Sequence, residues 1–248
     1  MEKITEVMFN WTLIQASVWI TVLNVFILFS GLLLGKFLIW VAGNRRVAPK
    51  PPKITIKELI FTCFTVLGNS FITVVGWFLW TKGYIHIGHE YNIWIIIDFL
   101  VLFLWMDLFM YLLHRVAHHD FFYKYLHLFH HEYPYPRPIS LFVLSPLENL
   151  SFGSLWLVLI YLYSSCWIAV ILFLSVNLFF GIVGHLGVEP FPDSGKKYFL
   201  STRIGTSTFH AFHHQDEKYN FGFYTTIWDH LFSTLAPYYE EKFGKLPK

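Results

Sequence analysis

The sequence predicts an all-α, polytopic membrane protein, and three observations predict it. Hydrophobic residues fill 55% of the 248 positions and charged residues only 14%, too few to coat a soluble domain, which ordinarily carries about 25% charge. Aromatic residues reach 21%, in keeping with side chains that gather at membrane interfaces. Apolar stretches near or above the roughly 20 residues that a helix needs to cross a bilayer recur along the chain. The same composition excludes a disordered chain, a collagen and a disulfide scaffold. A net charge of +2 is too small to point to nucleic acid. Cys63 and Cys166 both fall in apolar runs and read as small packing groups rather than a bridge.

Four apolar stretches justify about four to five transmembrane or re-entrant helices. The first, over 11–41, exceeds what a bilayer requires, so it tilts or begins outside. It is also too long for a cleaved signal peptide, and no small-residue cleavage site follows it. The second covers 59–81 and the third 93–113. The fourth, over 152–183, is too long for one span and is interrupted by the polar Tyr163, Ser164, Ser165 and Cys166. It predicts two short helices in a hairpin. Pro49, Pro51 and Pro52 predict a stiff, extended connector.

Positive charge orients the spans. Arg45, Arg46, Lys50 and Lys53 lie between the first two, whereas the next connection has only Lys82, which predicts a cytoplasmic 45–53 loop. Counting spans returns His114 to that side, and likewise the tail from His185 with Lys196, Lys197, Arg203 and Lys218.

Thirteen histidines are present, and most are clustered. His114, His118 and His119 form HRVAHH; His127, His130 and His131 form HLFHH; His210, His213 and His214 form HAFHH. Residues three and four apart share a helical face, so each cluster aims two imidazoles at one point while its neighbouring histidine reaches a second. Three such clusters predict two metal ions. An all-imidazole set suits zinc, copper, iron or nickel, and the number of histidines far exceeds the four ligands of a closed structural zinc site. His86 and His89 lie in the outer connection and read as interfacial loop residues. Asp107, seven residues before His114 and inside an apolar span, is costly there unless it faces a partner. It is expected to orient a metal-binding histidine or else to pair with Arg115.

The run DLFMYLLHRVAHHDFFYKYLHLFHHEY, then SPLE, GHLGVE and TSTFHAFHHQDEKYNFGFYTTIWDHLFSTL, resembles the fatty acid hydroxylase / sterol desaturase superfamily of integral-membrane di-iron oxygenases. The resemblance covers about 107–235. It implies an N-terminal membrane region over 1–106, a catalytic region over 107–235 and a short tail over 236–248. His118 and His127 are only nine positions apart, which leaves no room for a membrane crossing and argues against the acyl-CoA desaturases and alkane hydroxylases. The metal ligands it implies are His114, His118, His127, His130, His131, His185, His210, His213 and His214. His119 is kept as a further candidate, since some members use a ligand one place later. Glu148 and Asp229 match family acids that would orient ligating imidazoles, Asp229 alternatively capping a helix. Glu189, between turn-forming residues and close to Pro190 and Pro192, reads as an ordinary turn, and Asn220, Phe221 and Gly222 as a structural one. Ser145 and His230 replace the histidine and arginine common at those positions; His230 reads as a replacement rather than a ligand. Phe209, Phe212 and Tyr133 are candidates to line a lipid channel.

The resemblance further implies two iron ions, with zinc as a substitute in purified protein. They would use O2 and electrons from a separate cytochrome or ferredoxin to hydroxylate or desaturate a lipid such as a sterol, fatty acyl chain or sphingolipid. Carotenoid or alkylglycerol hydroxylation is the alternative within the family, and a membrane metal carrier the alternative outside it. A carrier calls for ligands along several spans, but those before His114 are nearly bare. The expected location is a bacterial inner membrane or the endoplasmic reticulum, with the metal site on the cytoplasmic side.

Overall fold

The computed structural model describes residues 2–89, 92–191 and 199–245; Pro192, Lys196 and Lys197 lie outside the described residues. A short helix α1 (Glu2–Phe9) precedes α2 (Leu13–Ala42) and α3 (Ile56–Thr81). Capping boxes begin both long helices: Thr12 with Gln15 and Thr55 with Glu58 satisfy amide hydrogens that have no partner within the helix. The two-residue strand β1 (Ile87–Gly88) leads into α4 (Trp94–Ala117), followed by α5 (Asp120–Leu126), α6 (Leu128–His131) and a 3-10 turn over Pro138–Phe142. The hairpin is then α7 (Pro146–Leu162), β2 (Ser165–Cys166) and α8 (Trp167–Gly184), and α9 (Ser207–His213) and α10 (Ile227–Leu231) complete the chain.

Among the described residues, four helices are long and apolar enough to cross a membrane: α2, α3, α4 and α8. The 17-residue α7 is shorter. The predicted break falls where expected, at the residues joining α7 to α8. Outward faces are strongly apolar, with Ile14, Trp40 and Leu33 each more than two-thirds exposed, a surface that water does not tolerate and lipid does.

The helices have two distinct ends. At one, β1 pairs in parallel with β2, Ile87 opposite Ser165, and the Asp98 carboxylate accepts hydrogen bonds from the Tyr163 hydroxyl and the Cys166 amide. At the other, the segment after α2 joins the segment after α8. The Glu189 amide donates to the Arg45 carbonyl, the Val47 amide donates to the Gly187 carbonyl, and the Arg45 guanidinium donates to the carbonyls of Pro190 and Phe191. The basic loop thus lies at the end of the bundle that carries the histidine clusters. Arg45 serves a packing role there.

Close helix approach depends on small residues. A methyl group on Gly35 of α2 would meet Pro138 Cγ at 2.5 Å, and one on Gly68 of α3 would meet Asn149 Nδ2 at 2.2 Å. That amide donates to the Thr65 carbonyl at 3.1 Å, joining α3 to α7 by a buried polar contact. Leu102, Met106, Leu159, Val170, Phe173 and Tyr224 form the core where α4, α7 and α8 meet. This packing fixes the C-terminal ends of α4 and α8 beside the N-terminal end of α7, where the site is built.

Candidate metal centre

Four short segments deliver the histidines. His114 ends α4 and His118 caps it; His127, His130 and His131 lie on or beside α6; His185 caps α8; His210, His213 and His214 end α9. They gather into two groups. His114, His118, His127, His131 and His213 form the first, and His130, His185, His210 and His214 the second. Within each group one nitrogen per ring lies within 4.8 Å of the others. The adjacent pairs divide as the helical spacing predicts, His130 and His131 going to different groups, and so do His213 and His214. His119 joins neither group: it is exposed, and its ring nitrogen accepts from the Phe121 amide at the start of α5. Its place as a candidate ligand is therefore corrected to that of a helix cap.

Outer nitrogens determine what the inner ones can do. His114 Nδ1 donates to the Phe221 carbonyl at 2.9 Å, His185 Nδ1 to Gly181 at 2.8 Å and His213 Nδ1 to Tyr219 at 2.7 Å. His127 Nδ1 donates to the buried Glu148 carboxylate. A neutral imidazole that donates from Nδ1 presents a bare lone pair at Nε2. Yet His114 Nε2 and His127 Nε2, both left bare by these bonds, face each other at 2.9 Å, and the Nε2 atoms of His118 and His213 and of His210 and His185 also approach to 3.1 Å. The two lone pairs of His114 and His127 repel at that distance, and a cation between them removes the conflict. The nine residues therefore fit a pair of metal ions on the chemistry of their donors, in the all-nitrogen environment that suits the later transition metals.

Burial keeps these rings neutral. It lowers the His118 pKa to about 2, reinforced by the imidazoles of His114 and His131, and lowers His131 to about 3. His127, His130, His210, His213 and His214 are pushed well below 6.5 by burial and by their neighbouring imidazoles. Neutral imidazole is the state that ligates.

The acids divide differently from expectation. Glu148 contacts a histidine, as the resemblance implied. Asp107 does not: it accepts from the amides of Tyr224 and Thr225, the Thr225 hydroxyl and the Trp228 indole. Nor does it pair with Arg115, whose guanidinium reaches the Tyr111 hydroxyl. Asp107 fastens the 224–228 segment to α4, and its expected role of orienting a histidine is corrected accordingly. Asp229 accepts from the amides of Phe221 and Gly222 and from the Thr234 hydroxyl, so it shapes the turn whose carbonyls hold His114 and His213. Asn220 adopts φ 61° in that turn, bonding through its side chain to the Phe209 carbonyl and the Ala236 amide. The turn read as merely structural therefore orients two histidines.

Glu189, read as part of an ordinary turn, is buried and accepts from the Thr208 amide and hydroxyl at the start of α9, setting the helix that carries His210, His213 and His214. Glu217 lies 3.3 Å from His131 Nδ1 and 3.7 Å from His118 Nδ1. Its position four residues after His213 was the available signal. Ser145 caps α7 through the Glu148 amide and donates to the Leu126 carbonyl. His230 contacts Arg203 away from both groups. His86 and His89 lie beside β1 at the opposite end, as expected. A narrow cleft lined by Phe180, Gly184, Gly205, Phe209 and Phe223 reaches His185 and His210 of the second group. Phe212 packs on Tyr239 and Tyr133 on Phe129, away from that cleft.

Fold and site together define a polytopic helical membrane protein with a histidine-built metal site at one end of its bundle. The sequence profile of the family "Fatty acid hydroxylase" matches residues 99–234, more than half of the chain, and the chain belongs to that family. It is 33% identical over 144 residues to methylsterol monooxygenase 1 of Rattus norvegicus, covering 57% of this chain and 48% of the relative. It is 29% identical over 126 residues to a Delta(7)-sterol 5(6)-desaturase of Leptosphaeria maculans, covering 50% and 33%. It is 26% identical over 182 residues to lathosterol oxidase of Homo sapiens, covering 71% and 59%. The chain spans about half the length of the first curated relatives it matches. No solved structure matches it.

Proposed function

We propose that this protein is an O2-dependent membrane oxidoreductase that hydroxylates or desaturates an unactivated C–H position of a lipid. The observation that carries the reading is the gathering of nine histidines into two groups, the bare ring nitrogens of His114 and His127 facing each other at 2.9 Å within the first. Relatives named as a sterol monooxygenase and as a sterol desaturase support a sterol or similar lipid as substrate. They are also the reason both outcomes stay in the proposal.

His114, His118, His127, His131 and His213 would hold one iron ion, and His130, His185, His210 and His214 the other. When bound, such a redox pair supplies the chemistry that activates dioxygen toward a C–H bond. The chain's own residues do the rest. Glu148 and the carbonyls of Gly181, Tyr219 and Phe221 hold the ligating rings in one tautomer. Phe180, Phe209 and Phe223 make the approach to the second group narrow and apolar, which excludes water. Hydroxylation balances as R–H, O2, two electrons and two protons giving R–OH and water; desaturation removes two hydrogens and gives two waters. The electrons come from a separate cytochrome or ferredoxin. The basic 45–53 loop at the site's end supports a cytoplasmic orientation, in a bacterial inner membrane or the endoplasmic reticulum.

The test compares lipid profiles of cells lacking the gene, complemented with wild type or with His130→Ala. A lipid about 16 mass units heavier that requires the intact histidine identifies a hydroxylase, and one about two lighter a desaturase; the weights follow from adding one oxygen or removing two hydrogens. Aerated cultures with no difference in any lipid overturn the reading.

A further inference from the structure

Three of the five rings in the first group have buried acceptors for their outer nitrogens: the Phe221 carbonyl, the Tyr219 carbonyl and Glu148. The other two, His118 and His131, turn their outer nitrogens to one shared carboxylate, Glu217, at 3.7 and 3.3 Å. Both imidazoles are nearly sealed, at 7% and 3% exposure, while the Glu217 side chain is 40% exposed. Among the described residues, no other acid with an exposed face stands in ion-pair distance of either histidine group. Glu217 follows α9 in the turn that begins at His214, so it moves with the segment that delivers three of the ligands.

We propose that Glu217 is the positioning residue for His118 and His131 and the point at which a divalent cation enters the first histidine group. It fixes two rings that otherwise have no outer partner, and it places a negative charge where a hydrated cation arrives from solvent. Shedding of water at the carboxylate followed by transfer to the two rings behind it loads the first group. The second group has no such carboxylate and is loaded independently of Glu217. The inference rests on the two-ion reading of the site.

The experiment follows uptake of ferrous iron and, separately, cobalt(II) by the metal-stripped full-length protein in detergent. Stoichiometry is measured by elemental analysis, and ligand-field bands report the environment of bound cobalt. Wild type takes up two equivalents. Glu217→Gln and Glu217→Ala take up one normally and the other about 10-fold or more slowly and weakly, the scale of losses when a ligand's supporting partner is removed. The bands of the first-group cobalt shift, Glu217→Asp restores most of the uptake, and Asp120→Asn, an exposed acid, behaves as wild type. Two equivalents taken up by Glu217→Gln at wild-type rate, affinity and spectrum overturn the inference while leaving the two-ion reading intact. Wild type taking up fewer than two equivalents overturns the two-ion reading itself, and the inference with it.

Discussion

His127 Nδ1 lies 2.6 Å from Glu148 Oε1, and both side chains are almost wholly withdrawn from solvent. The pair joins the second histidine cluster to the first turn of α7, so the hairpin also supports the histidine groups. Glu148→Gln keeps an acceptor for the imidazole but loses the charge, and Glu148→Ala loses both. Affinity of the first group falls about 10-fold for Gln and toward about 100-fold for Ala, with the second group unchanged. Competition with a chelating dye measures both; equal losses in the two groups would refute the assignment.

Asp107 makes a contrasting prediction. Asp107→Ala leaves four donors from the 224–228 segment without their acceptor, at about 1–3 kcal/mol for each that finds no other partner. Thermal unfolding in detergent drops accordingly, yet the folded fraction still binds two ions per chain. Metal loss without loss of stability would return Asp107 to the role of orienting a ligand.

His119→Ala removes only the capping contact to the Phe121 amide, worth about 1 kcal/mol or less at an exposed helix start. Its metal content equals that of wild type, whereas His118→Ala loses the first-group ion. Elemental analysis of the two purified variants decides the matter.

Gly222→Ala places a methyl 2.4 Å from the Thr225 carbonyl oxygen and 2.7 Å from Asp229 Oδ2. The neighbouring Phe221 carbonyl is the acceptor for His114. Crowding of this kind costs about 1–3 kcal/mol. The variant unfolds at a lower temperature and releases its first-group ion faster to a chelator; a stable variant with unchanged release would show that the turn does not orient His114.

Stripping metal from the wild type tests the mutual repulsion of the facing nitrogens. Each ion held at 100 times its dissociation constant stabilises the fold by about 2.7 kcal/mol. Removal with a strong chelator lowers the unfolding temperature, and readdition of ferrous iron restores it. No change on removal would mean that the histidine groups do not depend on a cation.

The helices and the three histidine clusters were legible because they rest on local periodicity, whereas His185 entered only through the family resemblance. Apolar run lengths mark the spans, and three- and four-residue spacings divide His130 from His131 and His213 from His214. The partners of the acids were not legible in the same way. Asp107 shares a helical face with His114, and that spacing suggested a histidine partner; its true partners lie more than 115 residues on and reach it only when the 224–228 segment folds back. Backbone carbonyls at Gly181, Tyr219 and Phe221 carry no side-chain signature, so spacing alone does not reveal that they orient His185, His213 and His114. Glu189 was misread because adjacent prolines mark a turn whatever the carboxylate beside them does.

The 18 residues of α8 extend about 27 Å at 1.5 Å per residue, slightly less than a hydrocarbon layer of about 30 Å. His185, at its end, is therefore held near the depth where acyl chains give way to headgroups, while the 30 residues of α2 must lean to fit the same layer. On the proposed function, a lipid entering sideways would reach the second histidine group with the carbons nearest its polar end. Under that proposal the carbon oxidised would be set by vertical registration against the membrane surface, and bilayers of different thickness should shift that position along the same molecule.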